Sequence, residues 1–273
     1  MTYNRPVDLL NHYRTLYVTV LNAHPLGPFA VSHYQAATQD PRSDQMLEKE
    51  EIVSKIYRAL DRPSSSSRFI EVPAQWAILF PEMSIDKYDI LHALNAGGSP
   101  EEIENALTAA VVAGHLPPQQ GPIEAFMGKF IGLDCCGFVG NYFQLNHVRF
   151  GGPEDDPTPS ARTPPNVYTG WGTTVKNRDD IRRNDILLFP IARKSTRHIA
   201  LIDSALGDQF IVCESHGGCG PERRVYYLNG GPDPLSIGVI LGTDQLPQSE
   251  RVTFRFRHPE VGNINLMVRH VVN

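Results

Sequence analysis

The sequence predicts an α+β protein on three observations: helix-period apolar patterns fill its first part, short runs of Val, Ile, Phe and Tyr fill its last part, and the two kinds do not alternate. Helices followed by strands argue against a doubly wound α/β sheet. The hairpin-like spacing of the strand runs makes the expected sheet antiparallel.

In chain order, "RPVDLLNHYRTLYVTVLNA" places Leu9, Leu10, Tyr13, Leu16, Tyr17 and Val20 at helical spacing. "SDQMLEKEEIVSKIYRALDR" repeats the pattern through Leu47, Ile52, Ile56 and Leu60. "RPSSSSR" at 62–68 is a surface loop by composition. "SPEEIENALTAAVVAGHL" carries its own start and stop signals: Ser99 caps, Pro100 suits the first turn, Glu102 completes a capping box and Gly114 sits near the end. "HLPPQQGP" at 115–122 then breaks the pattern and marks the expected boundary between a helical N-terminal region, residues 1–118, and a second domain, residues 119–273.

That second part opens with a helix for which Asp134 is the N-cap, running through "CCGFVGNYFQL" with Phe138, Tyr142 and Leu145 on one side. "GGPEDDPTPSARTPPNVYTGWG" is a long Gly- and Pro-rich loop of the kind that serves as a lid or a binding loop. "DILLFPI", "HIALIDSA", "DQFIVCES", "RRVYYL", "LSIGVIL" and "RVTFRFRH" are the expected strands.

Composition excludes several classes. A net charge of −5 gives no reason to expect nucleic acid or an anionic membrane as partner. No apolar run reaches the roughly 18 residues of a spanning helix, and "MTYNRPVDLL" lacks a secretory signal, so the chain is expected to be made in the cytoplasm. Four cysteines in 273 residues are too few for a disulfide scaffold, and reduced thiols are the default.

Two of those thiols, Cys135 and Cys136, stand at the start of the helix that Asp134 caps. A cysteine there feels the positive end of the helix dipole, which favours the nucleophilic thiolate. Such a nucleophile needs a base and a group that orients the base. His198 opens the strand "HIALIDSA", and the next strand, "QFIVCESH", carries Glu214 and His216 on one face and Cys213 on the other. One hairpin can therefore present a histidine together with its partner.

The order of "DCCGFV", "RRNDILLF", "HIALI" and a following strand with a polar residue near its end resembles the NlpC/P60 and CHAP branch of the papain-like cysteine peptidases and amidases. The match covers roughly residues 120–218. It lacks the usual Tyr and Gly-Gly before the nucleophile, has Asn184 in place of a glycine, and carries the Pro-rich loop as an insertion. The resemblance implies a papain-like (NlpC/P60-type) fold in which a helix carrying the nucleophile packs on an antiparallel sheet. It assigns Cys135 as nucleophile, His198 as general base and acid, and Glu214 as orienter, with His216 the alternative third member. Asp134, Cys136 and Trp171 are the substrate-side candidates. It also implies a hydrolase that cleaves an amide, foremost a peptide or peptidoglycan fragment, through an acyl-enzyme and without a cofactor. Such a chain would reach the wall by lysis, a specialised secretion route or a phage particle, and no motif names a delivery or immunity partner.

Three readings compete. Acyl transfer would use the same acyl-enzyme, and a copy of the scaffold without activity would act as a binding module. A zinc-binding protein would use Cys213, His216 and Cys219, spaced Cys-x2-His-x2-Cys. Arg251, Arg255 and Arg257 share one face of "RVTFRFRHP", where solvation is the expected role.

Overall fold

In the computed structural model, which describes residues 2–20, 24–35, 43–60, 69–70, 85–145, 168, 171–189, 198–217, 219–234 and 246–271, the C-terminal strands close on themselves. The expected loops at 62–68 and 151–167 and the strand "LSIGVIL" lie outside the described residues. Six strands make the ring: β6 (Ile186–Leu188), β7 (Ile199–Leu206), β8 (Gln209–His216), β9 (Gly220–Pro234), β10 (Val252–His258) and β11 (Gly262–His270). Each pairs antiparallel with the next, and β11 returns to β6 through Met267 opposite Leu188 and Arg269 opposite Ile186. A short strand, β5 (Thr173–Thr174), pairs with the far end of β11.

This corrects the expected papain-like arrangement: the sheet is a closed six-stranded antiparallel barrel, not a sheet with a helix laid on it. Closure depends on β11, which pairs with β10 on one side (Phe254 opposite Leu266) and β6 on the other. In "GNINLMVRH" Asn263 and Asn265 alternate with Ile264 and Leu266, but asparagine is a poor strand former and Met267 and Arg269 are buried too, so the segment is not among the predicted strands. With period 2, one set of side chains fills the barrel: Leu187, Ala200, Ile202, Phe210, Val212, Tyr226, Leu228, Phe254, Phe256, Leu266 and Val268. The other set, including Ile186, Leu188, Ile199, Leu201, Cys213 and Met267, faces outward.

That outward face is covered by the N-terminal helices, so β6 and β7 are buried on both sides. The helices are α1 (Pro6–Tyr13), α2 (Asp44–Leu60), α3 (Lys87–Leu94), α4 (Pro100–Val112), α5 (Gln120–Phe130) and α6 (Cys135–Tyr142). Two small pairs, β1 (Leu16–Val18) with β2 (Leu26–Phe29) and β3 (Phe69–Ile70) with β4 (Ile85–Asp86), complete the described elements. One apolar core runs from Leu9 through the helices to the outer barrel face. None of the described helices is long and apolar enough to cross a membrane.

Local signals explain the elements and their exceptions. The predicted helix over residues 5–23 stops at Tyr13, because the β-branched residues Thr15, Val18 and Thr19 follow and the chain turns into β1. The capping box on α4 forms as expected: Ser99 Oγ accepts from Glu102 N at 3.1 Å, and Glu102 Oε2 accepts from Ser99 N at 2.6 Å. The segment 115–122 contains the first turn of α5. Docking of α1 is fixed by a barrel residue, since Asp203 of β7 accepts from Arg5 Nη2 at 2.6 Å and from the first-turn N–H of Val7 at 3.2 Å. Arg255 and Arg257 point to solvent from a strand paired on both sides.

Candidate active site

The site forms where the first turn of α6 meets the beginning of β7 and the end of β8. Asp134 is extended and buried, and its Oδ1 accepts from Gly137 N at 2.6 Å, closing the helix start. The approach to it is tied down on three sides. Leu133 N donates to His33 O, Asp134 N donates to Ala96 O at 3.1 Å, and Ser215 Oγ donates to Leu133 O at 2.6 Å. The last of these bonds joins the residue beside Glu214 to the segment that carries the nucleophile. Gly137 is required for this fit, since a methyl group there would lie 2.5 Å from the Ala96 carbonyl oxygen.

Cys135, Cys136, His198 and Glu214 are thereby gathered in one place. His198 is held at the start of β7, where its carbonyl accepts from Phe189 N at 3.0 Å and its ring meets the Phe189 ring edge-on at 4.6 Å. Its Nε2 donates to Glu214 Oε2 at 2.6 Å, leaving Nδ1 for Cys135. The Glu214 side chain has no exposure and that of His198 only 13 %, so the pair sits in a largely dry environment. Tyr226 of β9 places its hydroxyl 3.0 Å from both Glu214 oxygens, and Arg224 Nε lies 3.4 Å from Oε1. These three contacts compensate a buried carboxylate that would otherwise be costly.

The electrostatics of the set favour an ion pair. The Cys135 thiol is held well below its ordinary value, first by a hydrogen bond from Cys136; burial opposes this, and a hydrogen bond from His198, its charge and the Ile199 N–H support it. For His198, burial lowers the value, but hydrogen bonds to Cys135 and Glu214 outweigh it and push the ring up to about 10. Burial likewise raises Glu214, yet His198, Tyr226 and Arg224 together leave it below the usual carboxylate range. The directions of these shifts favour thiolate and imidazolium, the pairing a thiol nucleophile with a proton shuttle needs.

The remaining predicted residues fall as follows. His216 Nε2 bonds Glu222 Oε1, and its ring is 6.4 Å from that of His198, so Glu214 and not His216 bonds the imidazole. Trp171 packs edge-on against Phe143 and Tyr168, and its carbonyl accepts from the buried Arg269, which makes it a loop anchor. Cys213 lies on the outer barrel face, where burial pushes its thiol up to about 12. None of the four cysteines is in a disulfide. Among the described residues, the group close enough to share a metal ion is His216, Cys219 and Glu222, with ligand atoms within 4.8 Å of one another; Cys213 is not part of it.

Sequence reasoning missed Tyr226, Arg224 and Gln35. The first two follow from strand parity: continuing the hairpin after "SHGGCGPE" puts Glu222, Arg224 and Tyr226 on the face of β9 that matches Glu214 on β8. Gln35 carries no local signal. Its Cβ stands against Gly132, three residues before the nucleophile, and its carboxamide oxygen is buried without a hydrogen-bond partner. Compared with family models, curated proteins and solved structures, the chain matches none of them significantly, so the geometry of Cys135, His198 and Glu214 carries the functional reading alone.

Proposed function

We propose that this chain is a cysteine hydrolase that cleaves an amide bond, with a peptide or peptidoglycan fragment as the foremost substrate and kinship to the NlpC/P60 and CHAP group whose motif order it resembles. The observation that supports this reading is the line from Cys135 at a helix start through His198 to the buried Glu214.

In this mechanism the Cys135 thiolate attacks the amide carbonyl carbon. The oxyanion that forms is met by the Cys135 backbone N–H, one of the first-turn donors for which a helix offers no internal acceptor. His198 gives its proton to the leaving amine as the C–N bond breaks, which leaves a thioester on Cys135 and a neutral imidazole. The imidazole then takes a proton from water, hydroxide adds to the thioester, and the acid product departs as the thiolate returns. Glu214 holds the ring in place and balances its charge throughout. Tyr226 and Arg224 hold Glu214.

The deciding experiment is incubation of the purified protein with isolated cell-wall fragments and with simple peptides, followed by mass analysis. Cleavage with addition of one water, absent in Cys135→Ala, supports the reading. Exchange of an amine in place of water would reassign the chain to acyl transfer. Full activity in Cys135→Ala would refute the nucleophile.

A further inference from the structure

Beyond the triad, the same end of the barrel gathers a second set of donors. The turn between β8 and β9 carries His216 at one end and Cys219 near the other, and Glu222 follows on β9. Their ligand atoms lie within 4.8 Å of one another. The turn is fixed at two points: Cys219 N donates to His216 O at 3.3 Å, and Gly220, at φ +64°, packs so closely on the His33 backbone that a methyl group there would come within 2.7 Å of its nitrogen. His216 and Glu222 already bond each other through Nε2 and Oε1.

The charge balance around the set is also suggestive. Glu214, Glu222 and Glu260 surround a single guanidinium, that of Arg224. If Glu222 turns to a cation, Arg224 keeps two of its three carboxylate partners, Glu260 at 2.7 Å and Glu214 at 3.4 Å.

We infer that His216, Cys219 and Glu222 form a binding site for a borderline-soft divalent cation of the zinc class, one strand turn away from the catalytic triad. An imidazole, a thiolate and a carboxylate are the donors such an ion takes, and calcium or magnesium would not choose a sulfur ligand. Tetrahedral zinc needs its ligand atoms about 3.5 Å apart given bonds of about 2.0–2.3 Å. Rotation of the exposed Cys219 side chain supplies the contraction. Binding exchanges the thiol proton of Cys219 for the metal, and solvent accepts it; His216 binds as the neutral imidazole, its proton on the ring nitrogen that does not face the ion. The fourth position remains for water. The site differs from the zinc set expected from spacing, because Cys213 faces the opposite side of β8 and Glu222 takes its place.

The test uses the full chain, with zinc alone and with cobalt as its spectroscopic substitute. The expected results are one equivalent of bound metal, a thiolate-to-cobalt charge-transfer band, and protection of Cys219 from alkylation by zinc in peptide mapping. Cys219→Ser should abolish the band and weaken binding by more than the roughly tenfold that loss of even a supporting residue costs. His216→Gln should weaken it as well. Cys135→Ala should leave the band and the stoichiometry unchanged, which separates this site from metal captured by the catalytic thiol. Absence of stoichiometric binding, or binding kept in Cys219→Ser and lost in Cys135→Ala, would overturn the inference. None of these readouts depends on hydrolysis.

Discussion

Replacing Glu214 by Gln keeps the size of the side chain and one acceptor oxygen, turns the other oxygen into an amide donor, and removes the charge from beside His198. With the charge centres about 4 Å apart and an effective dielectric of about 20, the lost attraction is about 4 kcal/mol, or about three pH units on the imidazole. The ring, held at about 10 in the native protein, should therefore titrate near neutrality in the variant. The sign follows from the raised folded-state value. Stability supplied by the charged ring is complete below the unfolded value of about 6.5 and is lost as pH rises through about 10. Cys135, whose value is lowered, contributes in the opposite sense up to the unfolded thiol value of about 8.5, so the melting temperature of the native protein should stay nearly level below that pH and fall between about 8.5 and about 10, and the variant should show much less of the fall. Nitrogen NMR of the His198 ring reads the titration directly, and a thiol alkylator reads the Cys135 thiolate. A folded Glu214→Gln protein whose His198 titrates where the native one does would refute this account of the triad.

Other consequences are open to the same methods. Because the hydrogen bond from Cys136 is the leading cause of the low Cys135 value, Cys136→Ala should retain alkylation of Cys135 but move its acidic limb to higher pH, whereas Cys135→Ala should abolish it; the pH dependence of labelling decides. Tyr226→Phe removes the hydroxyl that lies 3.0 Å from both Glu214 oxygens and should cost about 1.5–3 kcal/mol in denaturant unfolding. Gly137→Ala meets the Ala96 carbonyl oxygen at 2.5 Å, so about 1–3 kcal/mol of stability should go with it, and alkylation of Cys135 should slow as the helix start is displaced.

Much of the site was legible because its signals are local. An Asp followed by small residues and an apolar helix marks a capped start, and strand parity alone puts Glu214 and Cys213 on opposite faces, as they are. The path of the chain was not legible in the same way. Closure of the barrel rests on β11 pairing with β10 beside it and with β6 some eighty residues earlier, and no window of sequence holds that information. The asparagines in β11 point outward near its start and, as poor strand formers, weaken the signal of a segment that does alternate. Residues 14–20 satisfy helical spacing and strand propensity at once, and packing against β2 decided between them. Gln35 and His33 reach the nucleophile only through contacts with Gly132 and Leu133, a hundred residues distant.

The ring of strands also bears on what can be recognised. In β6 to β11 every strand has a neighbour on each side, so no strand of the ring is an open edge along its whole length on which an extended peptide could be added. A molecule approaching Cys135 arrives at the rim and meets side chains and turns, with no repeating ladder to set its direction or to count its residues. Under the proposed hydrolysis, discrimination at such an opening depends on the shape and charge close to the scissile bond. Linkages through a side chain or at a branch point are then as admissible as those of a linear main chain.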